Sequence, residues 1–454
     1  MQYLRHLVPA MLASALTFSA SVAHGQQVDA AVTLFSNVRV FDGKSTSLSE
    51  PTNVLVRGKL IERISATPIP VDRSATTRII DGGGRTLMPG LIDMHWHAML
   101  VRPTPVTVLT SDIGYTNLLA GVEATATLMR GFTTIRDMGG PIFALKRAVD
   151  EGIVAGPRIY PSGAMISITS GHGDFRQLTD LPRTIGGMLS RIEQLGGSMI
   201  ADSPDEVRLR VREQLMQGAS QVKLTAGGGV ASPFSPLDVS TFTEAELRAA
   251  VEAAENWGTY VCTHAYTSVA IQRSIAAGVK CIEHGHLMDD ATARLMAEKG
   301  IWLSTQPFLD LGGAAALGPA QQAQMRQVVA GTDTVYALAK KYKIKTAFGT
   351  DILFSKALAE RQGAGLADLT RWYTPAEALI MATSTNAELL ALSGLRNPYP
   401  GKLGVVEQGA LADLLLVDGN PLENIRLVAD AEKSFLVIMK DGVTYKNAMS
   451  PIPR

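Results

Sequence analysis

The chain has 454 residues, with 42 Lys plus Arg against 42 Asp plus Glu, and is 46% hydrophobic and 19% charged. That length holds two or more domains or one large barrel with an attachment, and the composition fits a globular protein with a sizeable core. A net charge of zero, with no basic block or basic helix, argues against a polyanion partner, so no nucleic acid is expected. The N-terminus differs from the rest. Met1–Arg5 is cationic, Leu7–Ala20 is apolar, and Ser21-Val-Ala23 or Ala23-His-Gly25 would suit a signal peptidase. This predicts a secretory signal over residues 1–25. The apolar run is shorter than the ~20 residues a membrane span needs. No later segment reads as long and apolar enough to cross a bilayer. The mature chain is therefore expected to be soluble, exported and periplasmic, with no membrane contact.

From Val28 to about Leu87 the pattern is short alternating strands, such as Asn53-Val-Leu-Val-Arg, punctuated by Asp42-Gly43 and Arg57-Gly58. The same texture returns in Ala412–Asp418 and Ser434–Gly442. The expectation is one small β-sandwich built from both chain ends, residues 26–88 and 400–454, around a central domain of residues 89–399. That centre alternates strand and helix. Eight strands are expected: Leu91–His97, Phe132–Asp137, Arg158–Gly163, Gln221–Ala226, Tyr260–His264, Lys280–His284, Ile301–Gln306 and Lys345–Asp351. Helices between them carry start signals. Ser203-Pro-Asp-Glu206, Thr243-Glu-Ala-Glu246 and Thr374-Pro-Ala-Glu377 each place a capping hydroxyl three residues before a glutamate. Leu247, Ala250, Val251 and Ala254 then mark a buried face, and Gly258 stops the helix. Eight β-α units predict an α/β fold, a (β/α)8 TIM barrel. A doubly wound sheet lacks support, because no Gly-x-Gly-x-x-Gly follows an early strand.

In such barrels chemistry lies at the C-terminal strand ends. Most histidines beyond the leader fall there. His95 and His97 close strand one; two residues apart in a strand, they face the same side. Asp351 ends strand eight, which closes against strand one, and should meet them. His264 and His284 end strands five and six and could share a second ion. Imidazole and carboxylate are good Zn²⁺ ligands. Lys223, near the end of strand four, is costly inside a barrel unless paired or neutral. It either pairs with a carboxylate such as Asp351 or captures CO2 as a carbamate that bridges two metals. Cys262 and Cys281 are expected to be buried free thiols; Cys262 shares the face of His264, whereas Cys281 lies an odd number of residues from His284.

Met88-Pro-Gly-Leu-Ile-Asp-Met-His95-Trp-His97, the return segment Gly404-Val-Val-Glu-Gln-Gly409-Ala-Leu-Ala-Asp413-Leu, and the ordered set His95, His97, Lys223, His264, His284, Asp351 resemble the metal-dependent amidohydrolase superfamily, binuclear type with a carboxylated lysine. The resemblance runs from about residue 30 to 448. Val261-Cys-Thr-His264-Ala-Tyr266, Ser170-Gly-His172-Gly and Val222-Lys223-Leu-Thr-Ala-Gly-Gly-Gly229 are most similar to exported members related to Xaa-Pro dipeptidases, carboxypeptidase-like dipeptidases and ochratoxin-hydrolysing amidases. The resemblance implies two divalent ions, zinc by expectation, with a CO2-derived carbamate on Lys223. It implies hydrolysis of N-acyl amino acids, dipeptides or related small amides. Asp351 would act as both ligand and acid/base, and His172 and Tyr266 would bind the substrate's free carboxylate. It also implies a homo-oligomer. His286 stays unassigned, with a structural role favoured. Gly227–Gly229 reads as a mobile loop at the mouth, not a phosphate cradle. A lactonase, cyclic-amide hydrolase or phosphotriesterase would use the same metal shell. A non-catalytic binding barrel should have lost ligands, and none is missing.

Overall fold

The computed structural model describes residues 31–72, 74–184 and 187–449. The expected leader, residues 1–25, lies outside the described residues. In the centre of the chain parallel strands alternate with helices. Leu91–Trp96, Phe132–Asp137 and Arg158–Pro161 form one parallel sheet. A second runs Ser198–Ile200, Met165–Ser167, Val222–Thr225, Val261–Thr267, Cys281–Leu287, Trp302–Thr305, Thr346–Phe348, again parallel throughout. All eight expected strands are present. Met165–Ser167 and Ser198–Ile200 were not expected; three residues are too few for an alternation to show.

Two seams separate these sheets. At the first, Ser220 N–H donates to the Pro161 carbonyl at 2.8 Å, and Gln221 Nε2 to the Tyr160 carbonyl at 2.9 Å. At the second, no ladder joins strand eight to strand one among the described residues. Instead Asp351 N–H donates to the His95 carbonyl at 2.8 Å. The Asn386 amide also spans the gap, donating to Ile92 O at 2.7 Å and Phe348 O at 2.9 Å while accepting from Phe348 N–H at 3.0 Å. The architecture is TIM-barrel-like, and the second seam is held by one backbone bond and by the side chains of Asn386 and Asp93, the latter accepting from Thr350 N–H at 3.1 Å and Thr350 Oγ1 at 2.7 Å.

The helices form where the capping signals fall. Ser203 Oγ accepts from Glu206 N–H to start Pro204–Gln217, and Gly218 ends it at φ +101°. Thr243 and Glu246 form a reciprocal capping box for Glu244–Glu255. Its Leu247, Ala250, Val251 and Ala254 are buried. They pack with Val207, Val211 and Leu215 against strand residues Val222, Leu224 and Val261. Each large side chain so buried contributes about 1.5–3 kcal/mol.

One expectation is corrected. Pro375–Arg396 does have the length and composition of a membrane span, with a mean hydropathy of 1.2. Half of it is buried within the fold. Leu379, Ala382, Asn386 and Leu389 face the strands, so its apolarity serves the core.

Both chain ends join a single eight-stranded sheet, ordered Val443–Asn447, Phe435–Lys440, Leu414–Val417, Thr86–Pro89, Val32–Val40, Thr52–Arg57, Leu60–Ser65, with Thr77–Asp81 paired to Val32–Val40. The join is Val32–Val40: Val32–Val38 pair with Thr52–Arg57 and Thr77–Asp81, whereas Arg39 and Val40 pair with Thr86–Pro89. The sheet's apolar cluster draws Phe35, Val54, Leu87, Leu414, Leu416, Val437 and Met439 from both ends. It touches the central domain through Arg158, whose Nη1 donates to Asp413 Oδ2 at 2.6 Å.

Candidate metal centre

The six side chains singled out as ligands converge. His95, His97, Lys223, His264, His284 and Asp351 line one small cavity, together with His172, Met165 and Phe354. Ligand atoms of His95, His97 and Asp351 lie within 4.8 Å of one another. Asp351 Oδ1 is 3.2 Å from His97 Nε2 and 3.4 Å from His95 Nε2, and Lys223 Nζ is 3.4 Å from His95 Nε2. Across the cavity the His264 and His284 rings meet edge to face at 4.3 Å.

The tautomers follow from the hydrogen bonds, because a carbonyl or carboxylate oxygen can only accept. His97 Nδ1 donates to Gly139 O at 3.0 Å. His264 Nε2 donates to Gly228 O at 2.8 Å. His284 Nδ1 donates to Gln306 Oε1 at 2.7 Å, and its buried Nε2 has no protein partner. His95 Nδ1 donates to Glu283 Oε2 at 2.9 Å. Each of the four rings thus spends one nitrogen on the protein and keeps the other as a lone pair. Metal-binding histidines commonly donate their other ring N–H to an oxygen in this way, which fixes the tautomer and the ring's direction.

Electrostatics point the same way. Burial, then the neighbouring Lys223, holds His95 well below its usual pKa; burial, then the adjacent imidazoles, does so for His264 and His284. The rings are neutral and available as ligands. Burial also lowers the Lys223 amine, with Glu283 opposing. Burial pushes Asp351 up, but the His95 and His97 rings outweigh it and hold the carboxyl below its ordinary range. The donors fit a divalent cation.

Backbone strain accompanies the site. His284 sits at φ +80° and Asp351 at φ +50°, in the left-handed region that costs a non-glycine residue roughly 1–3 kcal/mol. At His284 this turn has a visible result. Cys281 and Glu283 face the barrel interior, and the odd-numbered offset should send His284 outward; its left-handed turn brings it inward as well. Cys262 and Cys281 are free, buried register partners on neighbouring strands. They share an apolar cluster with Ile92, Met94, Tyr160 and Trp302.

His172 and Tyr266 flank His264. The His172 ring stacks on it at 4.2 Å, and Tyr266 meets it edge to face at 4.9 Å. Ser232 Oγ lies 3.1 Å from His172 Nδ1, and burial lowers the His172 pKa to about 4. His286 is buried away from the cavity lining, donating Nε2–H to Gln306 O at 3.0 Å and stacking on Phe308 at 5.2 Å. Gly227–Gly229 is not the loose loop expected of it; all three residues are buried. A Cβ on Gly229 would come within 2.2 Å of His172 Nδ1, and one on Gly228 within 1.6 Å of Pro236 O. The run consists of glycine because backbone, His172 and a neighbouring loop must touch there.

Sequence reasoning missed Glu283 and Gln306, which hold His95 and His284 from behind, and Arg136, which holds Glu283. Charged residues inside the apolar runs Phe132-Thr-Thr-Ile-Arg-Asp137 and Cys281-Ile-Glu-His284 were the available signal. Outside the metal cluster a wider cavity of about 690 Å³ opens, walled by Phe308, Leu311, Met325, Leu353, Phe354 and Leu358 and reaching His172, Tyr266 and Asp351.

Strand-end imidazoles and a carboxylate, gathered at one mouth of a TIM-barrel-like α/β domain, define a protein built around a candidate catalytic metal centre. Comparison with known proteins narrows that class. Residues 86–445 match the amidohydrolase family. Ochratoxinase from Aspergillus niger is 30% identical over 379 residues, covering 79% of this chain and 75% of that protein. A crystal structure of an amidohydrolase superposes with a TM-score of 0.84 at 36% identity, covering 92% of this chain and all of the other (100%). A prolidase complexed with N-methylphosphonate-L-proline gives the same score at 34% identity, with coverage of 92% and 100%. The chain belongs to the amidohydrolase family and is a hydrolase acting on carbon–nitrogen bonds. That family is typically metal-dependent, in keeping with the His95, His97 and Asp351 cluster.

Proposed function

We propose that this chain is a binuclear metal-dependent amide hydrolase for N-acyl amino acids, dipeptides or related amides, ochratoxin-like ones included, that carry a free carboxylate. His95, His97 and Asp351 would hold one divalent ion and His264 and His284 a second, with Lys223 between them as a carbamate. The observation that carries the reading is the set of four histidines, each tied through one ring nitrogen, with Nε2 of His95 and His97 turned toward Asp351 and Nε2 of His284 without a protein partner. Zinc suits this mixture of imidazole and carboxylate. When bound, such ions would supply a water acidic enough to ionise near neutral pH and a Lewis acid for the scissile carbonyl. Burial favours the neutral Lys223 amine, the form that adds to CO2 with loss of a proton.

The protein's own groups would do the rest. Asp351, kept ionised, takes the proton of the attacking water and returns it to the leaving nitrogen. His172 and Tyr266, on either side of His264, hold the substrate carboxylate. The apolar outer cavity takes the bulk of the acyl and side-chain groups and keeps bulk water from the reacting carbon. A lactonase or phosphotriesterase could use the same donors. The His172 and Tyr266 pair, and a prolidase relative that binds a proline-bearing phosphonate, favour the carboxylate-bearing amide. The proposal includes export through residues 1–25 to the periplasm, the division of the remainder at 26–88, 89–399 and 400–454, and assembly into a homo-oligomer. The test is a screen of N-acyl amino acids and dipeptides, each beside its methyl ester, on zinc-loaded, bicarbonate-treated mature protein. Release of free amine from the acids is expected. No turnover of any free-carboxylate amide would overturn the reading.

A further inference from the structure

We infer that Glu283 is a positioning residue for the metal centre, fixing the His95 ring so that Nε2 faces the cavity, and that Arg136 clamps Glu283 in that role. The inference rests on the proposal above in one respect, that His95 is a ligand. Among the described residues, the tethering nitrogens of His97, His264 and His284 each meet a neutral oxygen, and that of His95 alone meets a carboxylate, Asp351 being shared on the ligand side by His95 and His97. An anionic acceptor makes the imidazole behind it a stronger donor to a cation.

Glu283 is itself tightly held. Arg136 Nη2 donates to both of its oxygens, at 2.7 and 2.9 Å, and Cys281 Sγ donates to Oε1 at 3.2 Å. Arg136 is anchored in turn, with Nε on the Met94 carbonyl at 2.7 Å and Nη1 on the Tyr260 hydroxyl at 3.0 Å. The network therefore links strands one, two, five and six, and His95, Arg136 and Glu283 are almost wholly buried. Stability alone gives little reason for such a device, since well-packed apolar residues usually serve as well as a buried ion pair. The arrangement also depends on the strained backbone at His284. Its φ of +80° lets two adjacent residues serve the same cavity, Glu283 from behind a ligand and His284 as one.

The decisive variant is Glu283→Gln. An amide has one oxygen and one NH2, while both Arg136 and His95 Nδ1 present donors. An oxygen in the place of Oε2 still accepts from His95 Nδ1 and Arg136 Nη2, but the NH2 in the place of Oε1 then faces the guanidinium, and the anion behind the His95 ring is gone. Zinc affinity of apo protein, read by competition with a chelator and scaled to the folded fraction, should weaken about 10- to 100-fold. A folded variant with a lower melting temperature and unchanged zinc affinity would overturn the inference, since that is what a purely structural role gives. If the variant does not fold, the zinc-loaded native chain supplies the answer through ¹⁵N–¹H correlations of its histidines. His95 should show a protonated Nδ1 and a metal-bound Nε2; the opposite tautomer would overturn the inference. Failure of the underlying reading looks different, because the native chain itself would then bind no zinc.

Discussion

The strands of the central domain and the sheet made from the chain ends obey different rules. In the end sheet the buried positions are mostly apolar, with Thr33, Thr52, Thr86 and Lys440 the polar ones, and the left-handed non-glycine residues are Asn37 and Asp441, types that tolerate that conformation in turns. In the central domain, His95, Arg136, Asp137, Lys223, His264, Glu283 and His284 are buried, and Ser170, His284, Asp351 and Phe354 take left-handed backbone close to one cavity. Desolvated charge and strain are costly, and here they are concentrated around the same few strand ends. A sequence that accepts such costs in one place and avoids them in another marks where selection has acted on chemistry rather than on folding.

That contrast can be broken by mutation. The largest effect expected is at Lys223. Lys223→Ala should lower kcat/KM by about 10³-fold or more, because under the proposed carbamate two water-activating ions would lose their shared ligand. A short-chain carboxylic acid should restore part of the loss; full activity without it would remove the carbamate. Asp351→Asn should reduce kcat about 10²- to 10⁴-fold while metal analysis still finds bound ion. Unchanged turnover would mean that another group moves the proton. Leu416→Ala, in the apolar cluster of the end sheet, should cost about 2–5 kcal/mol in denaturant unfolding and leave kcat/KM intact below the transition. A loss of activity in the folded variant would erase the contrast between the two regions. Smallest is Tyr266→Phe, expected to raise KM for free-carboxylate substrates about tenfold, one hydrogen bond's worth, with little effect on their esters. Equal losses on both would argue against carboxylate recognition.

The two kinds of region were also unequally legible. His95, His97, His264 and His284 could be found because each sits in or at the end of a β-rich run, and strand periodicity places the first pair together. The eight strands carried enough alternation or length to be recognised, and the capping boxes at Thr243 and Thr374 announced their helices. What stayed hidden depends on long-range geometry. Glu283 reads as outward-facing if His284 is inward, and only the left-handed backbone at His284 reconciles them. The packed glycines at 227–229 look like a loose loop until His172 and Pro236 are seen against them. The apolar run at Pro375–Arg396 is disguised by composition, because a helix lying against strands and a helix in lipid draw on the same residues.

The seam between strands one and eight has a last implication. The Asp351 amide, the Asn386 side chain and the Thr350 bonds to Asp93 bridge it without a strand ladder, and His95 and His97 lie on one bank with Asp351 on the other. A cation gripped by those three would rivet the joint that the backbone leaves unlaced. Removing it with a chelator would then do more than silence the enzyme: it would loosen the join between strands one and eight at the mouth of the cavity.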